Sequence, residues 1–226
     1  MGFTINQVVP WGRNLEEYQR MFALTSEDLN KRIISCGDGP ASVNAELFLM
    51  DKKYTSLDPI YQFSVQQIKE RIGATAIIIE EQLVNNRNDY KWDYYQSPKQ
   101  LVQVRLKAMN HFLLDFELHK NTDRYVTGVL PDLSFTNHSF DLVLCSHLLF
   151  TYSEQLDEEF HQKAALEMCR VSKEVRIFPL LTSGGEISQH LDSLINHLEN
   201  RGIYTEILAV DYEFQKGGNQ MLKLKS

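Results

Sequence analysis

Cysteine is scarce: Cys36, Cys145 and Cys169 are the full complement of a 226-residue chain. They are odd in number, far apart and without zinc-ligand spacing, so free thiols in a reducing cytoplasm are expected and no metal site is. Positive charge is in deficit. The chain has 23 Lys plus Arg against 30 Asp plus Glu, a net charge of −7, which argues against a surface for duplex nucleic acid or an anionic membrane. No apolar run approaches the ~20 residues needed to span a bilayer. The opening Met1-Gly2-Phe3-Thr4-Ile5-Asn6 lacks a charged region ahead of an apolar core, so no secretory leader is expected. Asn6 stands where a myristoylation signal requires Ser or Thr. Internal repeats and low-complexity tracts are also missing.

What the chain does contain is an ordinary apolar share of 43%, enough for a sizeable core. Its most informative stretch is Ile33-Ile34-Ser35-Cys36-Gly37-Asp38-Gly39-Pro40-Ala41, followed by Tyr54-Thr55-Ser56-Leu57-Asp58. An apolar start runs into a tight glycine turn, and a second β-like run ends in a carboxylate. This is the pattern of a first βαβ unit in a nucleoside-cofactor fold, with Asp58 in the position of a ribose anchor. Gly37 and Gly39 allow backbone to approach a ligand where a Cβ would collide. An ionised Asp58 can accept both ribose hydroxyls.

Strands alternate with helices along the rest of the chain. Leu15, Tyr18, Phe22 and Leu24 predict a short amphipathic helix within residues 10–30, behind Pro10-Trp11-Gly12-Arg13, where a Trp and an Arg around a Gly are placed to close over a site or to anchor the terminus. Pro40 is expected to open the helix after the glycine turn. Phe63, Gln67, Glu70 and Arg71 suggest a helix ending at Gly73, and Ile77-Ile78-Ile79 reads as further helix. Ser97-Pro98-Lys99-Gln100 combines an N-cap, a first-turn proline and a capping-box glutamine. The stripe Leu101, Val104, Ala108, Met109, Phe112, Leu113 and Phe116 behind it is packing surface. Strands are predicted at Arg124–Thr127, Phe140–Cys145 and Glu174–Pro179. Ser153 is expected to cap a helix carrying Leu156, Phe160, Ala164, Met168 and Val171, and Leu191 to Leu198 mark another helix, ended by Gly202. Thr205–Phe214 and Gln220–Leu224 close the chain as a hairpin. The expected architecture is α/β: a Rossmann-like, mostly parallel seven-stranded sheet with an antiparallel C-terminal hairpin strand. It forms one domain over residues 1–226, with a helical cap from residues 10–30 and 61–120.

The loop spacing discriminates between cofactors. A dinucleotide fingerprint needs a third small residue three positions after the second glycine. Here Ala41 follows Gly39 by two, giving G-x-G-x-A. This spacing resembles the first motif of class I S-adenosylmethionine-dependent methyltransferases. Three further stretches are similar to that family in the expected order: Tyr125–Phe135 to its adenine-side segment, Ser139–His147 to its fourth-strand motif, and Glu167–Val171 to the helix end before the fifth strand. The resemblance covers residues 30–60 and 124–226. It implies S-adenosyl-L-methionine as cofactor, contacted by Gly37, Asp38, Gly39, Asp58, Pro59, Val129, Leu130 and Ser146. It also implies methyl transfer to an oxygen, nitrogen or carbon nucleophile. Two positions depart from the family: Ser35 stands where an acid usually helps hold the methionine amino group, a role Asp38 is placed to assume, and Val129 stands where an acid often reads the adenine amino group.

No dedicated catalytic side chain is required when the acceleration comes from in-line positioning in a desolvated pocket. His147, just past the end of the fourth strand, is a weak candidate for general base, set against a structural histidine. Tyr61, Trp92, Tyr94 and Tyr95 either line an acceptor pocket or pack against the core, packing being the stronger expectation. The acidic surface and helical insertion point to a small-molecule methyl acceptor, with no nucleic acid or membrane partner. Two alternatives remain open: a protein that binds S-adenosylmethionine without catalysis, and a nicotinamide-dependent oxidoreductase.

Overall fold

A computed structural model describes residues 9–226; the leader and myristoylation readings on Met1–Asn6 lie outside them. A seven-stranded sheet is built from β1 (Ile33–Cys36), β2 (Tyr54–Leu57), β3 (Tyr125–Val126), β4 (Phe140–Ser146), β5 (Ser172–Phe178), β6 (Tyr204–Ala209) and β7 (Gln220–Lys225). Its order is β3-β2-β1-β4-β5-β7-β6. β7 alone runs against its neighbours, pairing antiparallel with both β5 and β6. The expected class therefore holds: mostly parallel, with the C-terminal hairpin supplying the reversed strand. β1 lies between β2 and β4, both parallel to it. The chain order reverses there, and open α/β sheets bind ligands beyond the carboxyl ends of their strands at such a point.

The helices are α1 (Leu15–Met21), α2 (Val43–Leu49), α3 (Val65–Asn85), α4 (Pro98–His119), α5 (Glu158–Val171) and α6 (Leu191–Glu199). Leucine, isoleucine and valine dominate the core where Ala164, Met168, Leu194 and Leu198 from α5 and α6 meet Ile34, Val143, Val175 and Leu222. A second cluster joins Tyr18 and Met21 of α1 and Leu47 of α2 to Ile33, Leu142 and Phe178. The first predicted helix thus packs against the sheet's core as well as bordering the site. Each such side chain, fully buried, stabilises the fold by about 1.5–3 kcal/mol.

α3 and α4 pack on each other, and two aromatic clusters form around them. Tyr61, Phe112, Phe116 and Tyr125 form one set of ring contacts, with Phe112 and Phe116 stacked at 5.2 Å. Tyr90, Trp92, Tyr95 and Phe214 form another. Among the described residues no helix is long and apolar enough to cross a membrane.

Several boundaries differ from expectation. α2 starts at Val43, and Pro40 lies in the turn before it. α3 does not stop at Gly73 but runs to Asn85, started by a capping box in which Ser64 and Gln67 each accept the other's backbone N–H. Ser97 caps α4 as predicted, but the Gln100 side chain accepts from the N–H of Gln96 rather than from Ser97. Asp157, not Ser153, caps α5. The Ser153 hydroxyl instead donates to the Phe150 carbonyl and pairs with Ser188.

Candidate functional site

The glycine turn after β1 is fixed from three sides. Gly37 and Gly39 have φ of 71° and 55°, in the left-handed region. The Gly37 N–H donates to the Leu57 carbonyl at 2.9 Å, and the Tyr61 hydroxyl donates to the Gly39 carbonyl at 2.7 Å. A Cβ on Gly37 would lie 2.5 Å from Leu148 Cδ2. From the third side the 10–13 segment presses on the turn. A Cβ on Gly12 would lie 2.1 Å from the Pro40 carbonyl oxygen, so only glycine permits this approach. The Ser42 N–H then donates to the Arg13 carbonyl at 3.0 Å. The segment around Trp11 is therefore attached to the turn, and Trp11 and Arg13 also line the cavity beside it.

Asp58 caps the short turn at Pro59–Gln62. Its Oδ1 accepts from the Ile60 N–H and its Oδ2 from the Gly39 N–H, both at 2.8 Å. Burial raises its carboxyl to about 6, against the pull of these two N–H groups. Asp38 is buried deeper. Its Oδ1 accepts from Tyr18 at 2.7 Å and Tyr54 at 3.3 Å, and its Oδ2 from Ser56 at 2.5 Å. Burial outweighs these hydroxyls and raises its pKa above the usual carboxylate value.

A cavity of about 510 Å³ opens beyond this edge of the sheet. Gly37, Asp38, Gly39, Asp58, Pro59, Val129, Leu130, Ser146 and His147 all line it, so the structure brings every candidate residue to one space. Leu130 is buried while Val129 is exposed, and the Val129 carbonyl already accepts from the Asp132 N–H at 3.2 Å. His147 has φ of 50°, sits 3.0 Å through Nδ1 from the Ser146 hydroxyl, and meets Phe178 edge-on at 5.3 Å. Burial, reinforced by the charges of Arg13 and Arg105, holds its pKa well below the ordinary value. The ring is therefore neutral at pH 7.

The opposite wall is less legible in the sequence. Of the predicted insertion aromatics, Tyr61, Trp92, Tyr94 and Tyr95 pack elsewhere; Trp11, Tyr90, Tyr152 and Phe214 line the space instead. Arg105 occupies the buried face of α4, four residues after Leu101 and four before Met109. An arginine inside an apolar helical stripe was the available signal. It forms a buried ion pair with Glu17 and donates to the Tyr212 hydroxyl at 3.2 Å. Tyr95 and Tyr212 also donate to Glu17. Burial opposes both charges, but their mutual attraction prevails, lowering the Glu17 pKa and raising that of Arg105.

All three cysteines are buried free thiols. Burial pushes Cys36 well up and Cys145 and Cys169 to about 12, which leaves them unreactive. Among the described residues no group of His, Cys, Asp and Glu is arranged to hold a metal ion.

No family model matches the chain. Among solved structures, an O-methyltransferase of neocarzinostatin biosynthesis (NcsB1), in complex with S-adenosyl-L-homocysteine and 1,4-dihydroxy-2-naphthoic acid, superposes with a TM-score of 0.50 at 12% identity, covering 93% of this chain and 54% of that one. The methyltransferase domain of bacterial CtHen1 gives 0.46 at 13% identity, with 88% and 93% coverage. The fold is that of class I S-adenosylmethionine-dependent methyltransferases. The protein called Uncharacterized protein MJ0045 of Methanocaldococcus jannaschii is 31% identical over 222 residues, 98% of this chain and 97% of its own length. The chain belongs to the family of that archaeal protein.

Proposed function

We propose that the protein is an S-adenosylmethionine-dependent methyltransferase acting on a small-molecule acceptor. The observation that carries this reading is the single cavity shared by the Gly37–Gly39 turn, the Asp58 carboxylate and the buried chamber under α3 and α4. Its volume, about 510 Å³, falls in the range of roughly 300–1,000 Å³ typical of small-molecule sites.

The residues suit the cofactor. Asp58 uses one acceptor position on each oxygen for backbone N–H groups, and a carboxylate oxygen can accept a second bond. Both ribose hydroxyls can therefore be taken in charge-assisted contacts. Gly37 and Gly39 offer a surface without Cβ atoms for the methionine portion. Asp38 retains acceptor capacity beyond its three hydroxyl partners, which suits the amino group in place of the acid missing at Ser35. Val129 and Leu130 border the adenine position, with Pro59 beside Asp58 and Ser146 at the inner end.

When bound, the cofactor supplies an electrophilic methyl on a sulfonium. The chain's own contribution is to hold the nucleophile in line and exclude water. His147 is neutral and so able to accept a hydrogen bond from an acceptor hydroxyl or amine. Its depressed basicity suits orientation better than full proton abstraction. Binding without transfer is a second reading, motivated by Ser35 at the usual acid position.

Thermal unfolding with S-adenosylmethionine, S-adenosylhomocysteine, NAD and NADP tests the proposal. The first two should raise the midpoint, since a ligand at about one hundred times its Kd stabilises by about 2.7 kcal/mol. Stabilisation by NAD or NADP and not by S-adenosylhomocysteine would instead establish a nicotinamide site. Release of S-adenosylhomocysteine in the presence of an acceptor separates catalysis from binding alone.

A further inference from the structure

We propose that the inner end of the cavity is a carboxylate subsite formed by Arg13 and Arg105, so that the methyl acceptor is a small organic acid with an apolar body. The inference rests on the methyltransferase reading and adds the chemical class of the substrate.

Three arginines, Arg13, Arg71 and Arg105, line one chamber, and the charge of Arg71 acts on Asp58. Arg105 is matched by Glu17, which also accepts from Tyr95 and Tyr212, so this carboxylate is heavily engaged. Arg13 has no such partner. Among the described residues its guanidinium donates to the Trp11 carbonyl at 3.2 Å, and its buried Nε has no hydrogen-bond acceptor. The Nε of Arg105 is likewise buried and without an acceptor. Arg13, Arg105 and Glu17 together leave one positive charge, and the neutral His147 and Tyr212 also line the cavity.

Such an arrangement is costly in the absence of an anion. Burial and the repulsion of Arg105 both lower the pKa of Arg13, the sign expected of a desolvated cation facing another cation. A monoanion would relieve that repulsion. The planar fork of arginine fits a carboxylate through paired hydrogen bonds. Ile79, Leu83, Leu101, Tyr90 and Phe214 give the chamber apolar walls. Those walls suit an aromatic or aliphatic body. Arg105 also comes from α4, on the cap side of the cavity, across from the elements that suit the cofactor.

The test is calorimetry on protein saturated with S-adenosylhomocysteine, which already supplies the cofactor's own carboxylate. The probes are benzoate and hexanoate, each paired with its neutral amide. At least one acid should bind ten or more times more tightly than its amide. Arg13→Gln removes a side chain with one hydrogen bond, so the fold should be retained, as circular dichroism would verify. It should weaken acid binding at least tenfold and leave S-adenosylhomocysteine affinity within twofold of the parent. The double variant Glu17→Gln/Arg105→Gln, which removes both members of the buried ion pair, should also reduce the acid preference. Equal binding of acids and amides would overturn the subsite alone. So would an Arg13→Gln variant that loses S-adenosylhomocysteine and still prefers acids, because the guanidinium would then serve the cofactor's carboxylate. Failure of the parent protein to bind S-adenosylhomocysteine would overturn the methyltransferase reading, and the acceptor assignment with it.

Discussion

On the sheet side of the cavity, the groups that face the ligand are held by neighbours close in sequence. Asp58 is fastened by Gly39 and Ile60, Gly37 by Leu57, and Asp38 by Ser56, all within one βαβ unit. On the cap side, Glu17 from α1, Tyr95, Arg105 from α4 and Tyr212 near the C-terminus meet in one buried polar cluster. The pairings of Glu17 with Arg105 and with Tyr212 span 88 and 195 residues. The first wall is made of backbone geometry and is generic to its fold. The second is made of buried charge, and it is where this chain can differ from others that share the sheet. Damage to the two walls should therefore look different: loss of ligand affinity on the sheet side, loss of stability on the cap side.

The largest effect belongs to Arg105→Met. It strands Glu17 as an uncompensated buried charge, and removing one member of a buried pair costs about 3–5 kcal/mol. Urea unfolding should register that loss. Adding Glu17→Gln should recover a large part of it, because the orphaned charge then disappears. A single variant as stable as the parent would show that Glu17 is solvated, and the contrast between the walls would fail.

Asp58→Asn tests the sheet side. The amide keeps one acceptor for Gly39 or Ile60 but loses the charge that faces the ribose. S-adenosylhomocysteine affinity should fall at least tenfold at pH 7.5, in line with about 1.5–3 kcal/mol for a hydrogen bond to a charged group. The pH dependence sharpens the assignment. The folded carboxyl lies at about 6, above its ordinary 3.8. Its contribution to folding is thus complete below 3.8 and is lost as pH rises through 6, while ribose binding needs the ionised form and weakens as pH falls through 6. Between pH 7.5 and 5 the parent should lose about tenfold in affinity relative to Asp58→Asn, as calorimetry at both pH values would show. Parallel profiles would remove Asp58 from the ribose contact.

The same division separates what is legible in the sequence from what is not. Gly37, Gly39, Asp58 and the β-strands were legible because spacing along the chain specifies them, and turn chemistry carries its own signature. Trp92 and Tyr95 pack as the stronger expectation had it, while Tyr90 and Phe214, which the sequence reading did not single out, line the cavity. Arg13 and Trp11 around Gly12 are legible in sequence as a pair placed to close over a site or to anchor the terminus, and both line the cavity. Arg105 and Glu17 had no local signal that they pair, because a buried ion pair leaves no pattern when its members lie on different helices. Pro40 and Ser153 misled for a related reason. Both have strong preferences for helix starts, but α2 and α5 begin three and four residues further on.

Gly73 gives the smallest effect. Read as a helix end, it is instead an exposed interior residue of α3, and a Cβ built there has open space around it. Glycine within a helix is less favourable than alanine by about 0.5–1 kcal/mol, owing to the extra freedom of its unfolded chain. Gly73→Ala should therefore stabilise by that amount and raise the melting temperature by about 1–4 °C, measured by scanning calorimetry. S-adenosylhomocysteine affinity should stay unchanged, because Gly73 does not line the cavity. A lower melting temperature would mean that α3 needs to bend at this position. In that case the cap wall would owe its shape to a backbone feature as well, and the two sides of the cavity would be less distinct than the buried charges suggest.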